Sequence, residues 1–120
     1  MVKIISVLLS LIIFININTV YECDGKRAEI IIRNNINGDF DKIEYLADLK
    51  PGAFINIVWN KVQLMLPYSP RKDLVSFSDK KWEWSYLYND EGYIDQIEPE
   101  LNQLLPSGAY KSYKCRFGTN

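Results

Sequence analysis

Histidine is absent from this 120-residue chain, and its absence narrows the chemistry that the protein can carry out. Histidine is the side chain most used as a general base and metal ligand near neutral pH. Without it, the Ser-His and Cys-His nucleophile pairs of hydrolases cannot form. A zinc site would have to rest on carboxylates, because the only two cysteines are expected to pair with each other. We therefore predict a protein without metal or cofactor that is not an enzyme.

Paired carboxylates remain as one catalytic arrangement, because two acids suffice for glycoside hydrolysis. The acidic residues that lie close in sequence are Glu83, Asp90, Glu91, Asp95, Glu98 and Glu100. We interpret this cluster as a solvated face or loop, and we keep a carboxylate-based hydrolase as the alternative.

Neither sign of charge dominates, since 14 basic residues face 15 acidic ones. Phosphate binding requires clustered basic side chains. The densest basic stretches, Arg71-Lys72 and Lys80-Lys81, each have an aspartate beside them, at Asp73 and Asp79. We therefore expect no nucleic-acid partner.

Long apolar runs are also missing, apart from one at the start of the chain. The nearly uninterrupted run Ile4 to Ile15 follows Lys3 and is too short for a membrane span, which needs about 20 apolar residues. Its length and flanking charge are typical of a secretory signal. We predict a signal peptide over 1–19 and a single domain over 20–120, exported to the periplasm or outside the cell, with no stable membrane span after cleavage. An uncleaved anchor is the alternative.

Cysteine is scarce, with Cys23 near the predicted mature start and Cys115 near the end of the chain. Exported proteins meet oxidising conditions in which thiols pair. A bridge across this separation contributes about 4 kcal/mol in the chain-entropy model. We predict a Cys23–Cys115 disulfide, against the alternative of two free buried thiols.

The mature chain shows mainly period-two alternation of apolar and polar residues, which indicates strands with one buried face. The predicted strands span 28–33, 43–48, 54–59, 62–66, 74–78, 82–88 and 109–117. Residues 99–105 instead carry apolar residues at helical spacing and open with Pro99, so we predict a short helix there. The fold class is all-β, mainly antiparallel: a small barrel or sandwich of about seven strands.

Aromatic residues provide the first candidate binding surface, at Trp82, Trp84, Tyr86 and Tyr88 on one face of a predicted strand. The stripe can pack inward as part of the core. Alternatively, an exposed row of rings could stack on a glycan or anchor a protein partner.

The stretch from Leu105 to Tyr110 provides a second candidate, where Ser107, Gly108 and Tyr110 would project from a loop on a stiff scaffold. The simpler interpretation is an ordinary turn into the last strand.

The opening Tyr21-x-Cys23-Asp24-Gly25, followed by short strands and a cysteine in the last strand, resembles the periplasmic and membrane-bound inhibitors of c-type lysozyme. The hairpin from Ile55 to Leu66 and the Trp82-x-Trp84 strand are similar in layout. The resemblance implies a small exported antiparallel barrel and a lysozyme-like hydrolase as partner. The Ser-Gly-x-x-Tyr loop that this family carries ahead of its aromatic strand is absent here.

Together these features predict an exported, non-catalytic binding or inhibitory module that recognises a protein partner. The alternatives are a glycan-binding module that uses exposed tryptophans and the carboxylate-based hydrolase.

Overall fold

The computed structural model of the chain describes residues 19–35, 38–71, 74–87 and 97–118, and places eight antiparallel strands in one sheet. The strands are β1 Thr19–Cys23, β2 Lys26–Arg33, β3 Phe54–Trp59, β4 Val62–Pro67, β5 Leu74–Ser78, β6 Trp82–Leu87, β7 Pro99–Leu104 and β8 Tyr110–Phe117.

The sheet has the order β4-β3-β2-β1-β8-β7-β6-β5, in which each strand pairs with a sequence neighbour except where β1 meets β8. The two outer strands, β4 and β5, approach each other at an isolated bridge between Tyr68 and Phe77. The backbone N–H of Ser69 donates to the carbonyl of Ser76 at 2.8 Å beside it. The sheet is therefore a nearly closed barrel, and the predicted all-β antiparallel class is confirmed.

Because successive strands alternate in direction, the four tight connections lie at one end of the barrel, here called the hairpin end. They span 24–25, 60–61, 79–81 and 105–109. In the first two, both residues have positive φ, at 53° and 77° for Asp24-Gly25 and at 48° and 64° for Asn60-Lys61. This pattern is the type I′ turn, whose twist matches that of the flanking strands. The hairpin expected from Ile55 to Leu66 is thereby confirmed, with Asn60-Lys61 as its two-residue turn.

Alternate residues of each strand point into the barrel, and these inward-facing residues are mostly apolar. The largest fully buried side chains include Trp84, Tyr21, Tyr86, Phe77, Ile30, Ile32, Ile55, Ile57, Leu66 and Leu101. This interior is the one hydrophobic core found among the described residues, and it positions the outer face of the sheet.

The predicted disulfide is confirmed, since Cys23 and Cys115 are bonded and lie directly opposite each other on β1 and β8. Their Cα atoms are 4.1 Å apart. The indole Nε1 of Trp59 donates to the carbonyl oxygen of Cys23 at 3.0 Å, which links β3 to the same point. The bridge thus joins the first and last strands inside the core.

The predicted helix over 99–105 is wrong, because residues 99–104 form β7. Leu101 pairs with both Trp84 and Tyr113 and is fully buried, while Leu104 is exposed. A helix would have placed both leucines on one face. The open edges of β6 and β8 require a strand between them, and this demand outweighs the helical spacing.

The strand predicted over 43–48 is also wrong, because Leu46–Asp48 is a single 3-10 turn. Ile43 and Leu46 enter the core at a spacing of three residues. The buried amide of Asn34 holds this segment, since its Nδ2 donates to Asp48 O at 2.8 Å and its Oδ1 accepts from Lys50 N at 3.0 Å.

The strands β1 and β7 were not predicted and the strand over 43–48 does not form, so the sheet has eight strands instead of about seven. Residues 1–18, which carry most of the predicted signal peptide, lie outside the described residues, and the signal stays a prediction. Across the described ranges, no helix has both the length and the apolar character needed to cross a membrane.

Candidate functional site

The aromatic stripe of β6 packs mainly inward. Trp84 and Tyr86 are fully buried, Trp82 is partly buried at the hairpin end, and Tyr88 lies outside the described residues. The interpretation of an exposed row of rings is therefore wrong for Trp84 and Tyr86. Alternation in β6 places them in the barrel interior, where Trp84 meets Tyr21 edge-on at a centroid distance of 5.6 Å.

Two polar atoms accompany these rings into the core. Within the described ranges, neither Trp84 Nε1 nor Tyr86 Oη forms a hydrogen bond of regular geometry, although Trp84 and Tyr21 both act on the Tyr86 hydroxyl. Burial raises the pKa of Tyr86 well above its ordinary value, and the neighbouring Tyr21 raises that pKa further. The Tyr86 phenol is thus held neutral, which suits a structural side chain and not a general base.

An open cleft of about 410 Å³ lies on the outer face of the sheet at the hairpin end. Four strands and the hairpin turn over 79–81 contribute its walls. The residues that line it are Ser78, Lys80, Lys81, Trp82, Glu83, Asn102, Leu104 and Tyr110. We call this the hairpin-end cleft.

The sheet register explains how these side chains come together. Glu83 lies opposite Asn102, and Leu104 lies opposite Tyr110, so all four point to the same side of the sheet. That side is the outer one, because their neighbours Trp84 and Leu101 point into the core. Tyr110 is 66% exposed and Leu104 is 37% exposed. The cleft thus presents a cross-strand apolar pair to solvent.

The loop over 105–109 holds Tyr110 in place. Leu105 N donates to Ala109 O at 2.8 Å, and Gly108 N donates to Leu105 O at 2.9 Å. Gly108 has a φ of 89°, a backbone conformation that glycine adopts without strain. Ser107 Oγ accepts a hydrogen bond from Ala109 N at 3.4 Å. Ser107 and Gly108 are therefore exposed parts of the turn, whereas Tyr110 belongs to the cleft.

The acidic groups in and beside the cleft are engaged by neighbouring donors. Glu83 Oε2 accepts from Arg71 Nη1 at 2.7 Å and from Ser76 Oγ at 2.8 Å. Asp79 Oδ1 accepts from the backbone N–H groups of Lys81 and Trp82, at 2.9 and 2.8 Å. Lys80 and Lys81, in contrast, form no salt bridge within the described part of the chain.

Sequence reasoning assigned only two of the eight lining residues, Trp82 and Tyr110, to a binding surface. These two were placed in different candidate surfaces, and both line the cleft, Tyr110 from the outer face and Trp82 from the inward-facing side of β6. Lys80 and Lys81 were discounted because Asp79 is next to them, yet Asp79 uses its carboxylate to close the turn. Leu104 was assigned to a helix. The site could have been predicted by recognising that the β5–β6 and β7–β8 hairpins are adjacent and place their turns at the same end of the sheet.

The acidic cluster does not gather in the hairpin-end cleft. Glu83 lines it, Glu98 and Glu100 are not among its described lining residues, and Asp90, Glu91 and Asp95 lie outside the described residues. In the described ranges, no three His, Cys, Asp or Glu side chains are grouped so that they could hold a metal ion.

Comparison with known proteins places the chain in one family. No curated protein and no solved structure matches it. A family model described as "Domain of unknown function (DUF8671)" matches residues 31–115, which covers the sheet from β2 to the bridged Cys115 of β8. The chain therefore belongs to the DUF8671 family.

Proposed function

We propose that the protein is an exported, non-catalytic binding or inhibitory module that recognises a protein partner through the hairpin-end cleft. The observation that carries the proposal is the solvent-facing pair of Leu104 and Tyr110 in an open cleft. Trp82 lines the same cleft from the inward-facing side of β6, where its ring packs edge-on against Trp59 at a centroid distance of 6.1 Å. Tryptophan and tyrosine concentrate at the points of protein interfaces that contribute most to affinity.

The scaffold under the cleft is suited to binding because it is stiff. Trp82 and Tyr110 lie at the ends of strands whose inner faces pack in the core, and the Cys23–Cys115 bridge joins the two chain ends. A site on such strands loses little conformational entropy when a partner docks. The bridge is also consistent with an oxidising environment, which supports export to the periplasm or outside the cell.

A lysozyme-like hydrolase is the first partner to test, because the layout of the chain resembles lysozyme inhibitors. The barrel and the bridge between terminal strands agree with that layout. The cleft supplies a contact surface that differs from the missing inhibitory loop. Inhibition would appear as a fall in the rate of cell-wall hydrolysis when the protein is added to lysozyme.

Photo-crosslinking tests the general proposal. A photoreactive phenylalanine analogue replaces Tyr110 in one variant and Met65 in a control variant, since Met65 is 67% exposed on β4 and outside the cleft. Both proteins are irradiated in periplasmic and extracellular extracts. We expect a discrete protein adduct at position 110 that is absent at position 65. No adduct, or equal adducts at both positions, would contradict the proposal.

Glycan binding in the same cleft is the second candidate, favoured by the exposed Tyr110 ring and the partly exposed Trp82 among its lining residues. It predicts that Trp82→Ala abolishes retention on insoluble cell-wall glycans while Met65→Ala does not. Retention that is absent in the unmodified protein would exclude it.

A further inference from the structure

The hairpin-end cleft carries an uncompensated positive charge although the whole chain has a net charge of −1. Two ammonium groups, from Lys80 and Lys81, lie on its wall. Glu83 forms an ion pair with Arg71, and Asp79 accepts hydrogen bonds from the turn backbone and forms no salt bridge with either lysine among the described residues. A ligand in this cleft therefore meets two lysines that have no ion-pair partner in the described chain.

The backbone at Lys80 adopts a conformation that is costly for lysine. Lys80 has a φ of 76°, in the left-handed region where glycine is favoured and a lysine is strained by about 1 kcal/mol. Lys61, which does not line the cleft, has a similar φ of 64°. Positive φ is therefore a property of these turns, and the charge of the cleft follows from the positions of Lys80 and Lys81.

The apolar part of the cleft indicates which group a negatively charged ligand must also carry. Leu104 and Tyr110 face each other across adjacent strands, and Trp82 lies on the neighbouring strand β6. Leucine has neither a flat ring face nor a hydrogen-bonding group, so it favours an aliphatic or aromatic side chain over a sugar. Two lysines are also too few for a phosphate backbone, which requires a longer basic stripe.

We propose that the hairpin-end cleft binds a short acidic peptide segment of the partner, with one apolar side chain against Leu104 and Tyr110 and carboxylates beside Lys80 and Lys81. This inference rests on the proposed function, since it names the chemistry that the protein partner presents. Such a segment is complementary to the cleft, because its carboxylates face the two lysines and its apolar side chain faces Leu104 and Tyr110.

Selection from a random heptapeptide library displayed on phage tests the inference without assuming a sequence. The library is panned against the disulfide-bonded protein, against Lys80→Gln/Lys81→Gln, and against Lys26→Gln/Lys114→Gln. The control removes the same charge from two exposed lysines that do not line the cleft. Circular dichroism verifies that all three proteins are folded.

We expect the unmodified protein and the control to enrich peptides that combine Asp or Glu with a neighbouring aromatic or aliphatic residue. Synthetic copies of these peptides should bind Lys80→Gln/Lys81→Gln about tenfold more weakly, since two partly screened charge pairs are lost. Raising the salt from about 0.05 to about 0.5 M should weaken binding to the unmodified protein, because screening shortens the range of charge interactions.

Enrichment of neutral or basic peptides, equal binding to the Lys80→Gln/Lys81→Gln protein, or no enrichment would overturn the inference. Binding of polygalacturonate without peptide enrichment would also overturn it, in favour of an acidic glycan. If one of these results is obtained while a protein is still crosslinked at position 110, the proposed function stands and only the acidic-segment inference is rejected. If neither a crosslink nor peptide binding is found, both the proposed function and the inference are rejected.

Discussion

Two exposed lysines at the hairpin end adopt strained backbone conformations. Lys61 and Lys80 both adopt positive φ, at 64° and 76°, in turns that connect neighbouring strands. Glycine at either position would relieve steric contact between Cβ and the backbone. Of the two, Lys80 lines the cleft, so stability and binding are expected to favour different residues at that position.

Replacing Lys80 with glycine should therefore raise the free energy of unfolding while weakening the binding of acidic peptides. We expect a gain of about 0.5 to 1 kcal/mol, which is the relief of strain less the greater chain entropy of unfolded glycine. Urea denaturation measures the change. Lys114→Gly, placed in the regular strand β8, is the matched control and should destabilise the protein. Equal losses in both variants would show that Lys80 is unstrained.

The buried phenol of Tyr86 predicts a distinct dependence on pH. Its folded pKa lies well above the unfolded value of about 10, so the native state retains a proton that the unfolded state loses above pH 10. Unfolding is therefore favoured as the pH rises beyond 10, and the stabilising contribution is complete below that value. Tyr86→Phe should remove this part of the decline, as measured by urea denaturation between pH 8 and about 11.

The same variant also tests how much the contacts of the Tyr86 hydroxyl stabilise the core. Near pH 7 we expect Tyr86→Phe to change stability by less than about 1 kcal/mol, because the hydroxyl forms no hydrogen bond of regular geometry, although it interacts with the Trp84 and Tyr21 side chains. Tyr113→Phe is the comparison, since Tyr113 Oη donates to Gln103 Oε1 at 3.4 Å. A loss well above that of Tyr113→Phe would show that the contacts with Trp84 and Tyr21 are strong hydrogen bonds.

At the scale of elements, β7 decides how the cleft is built. It supplies Asn102 and Leu104 to the outer face and Leu101 to the core. As a helix, the same segment would have buried Leu101 and Leu104 together and left one edge of β6 and one edge of β8 unpaired. The site therefore depends on residues 99–104 forming a strand, although the spacing of their apolar residues is typical of a helix.

Two leucine truncations distinguish the strand from the helix. Leu101→Ala should cost about 2 to 4 kcal/mol, because it opens a cavity in a fully buried position. Leu104→Ala should cost less than about 1 kcal/mol, because Leu104 is partly solvated already. Chemical denaturation of both variants gives the comparison. Similar large losses for both would indicate that residues 99–105 are helical.

Elements with a clear buried and exposed face were predictable from the sequence. The strands β2 to β6 and β8 follow from alternation between turn residues, and the Asn60-Lys61 hairpin follows from its turn chemistry. The pairing of β6 and β8 with β7 was not predictable, because it depends on edges that only the assembled sheet creates. For the same reason, the sequence indicated Trp82 and Tyr110 separately but did not indicate the cleft that they share.

At the scale of the whole molecule, the disulfide joins the two halves of the sheet. It links β1 and β8 across a sequence separation of 92 residues, at the point where chain ends meet in the middle of the strand order. Strand pairing between β1 and β8 extends over only three residue pairs, so the covalent link reinforces the shortest ladder of the sheet.

Removing the bridge should lower the free energy of unfolding by about 4 kcal/mol, the loop-closure entropy of a closed loop of this length. The Cys23→Ala/Cys115→Ala variant and the oxidised protein are compared by urea denaturation without reductant. The cleft lies on β5 to β8, and these strands pair with one another at ladders that do not include the bridge. We therefore expect the residues of the cleft to keep their strand partners in this variant. Equal stability of the two proteins would show that the junction between β1 and β8 needs no covalent support.

The most direct test of the account is the accessibility of Trp82 to acrylamide, measured by fluorescence quenching with and without a saturating selected peptide or the crosslinked partner. Trp59 and Trp84 are buried, so quenching in the free protein arises mainly from Trp82. We predict that binding protects this signal and that Trp82→Phe abolishes the difference between free and bound protein. Quenching that is unchanged by a bound partner would contradict the central claim that the hairpin-end cleft is the binding site.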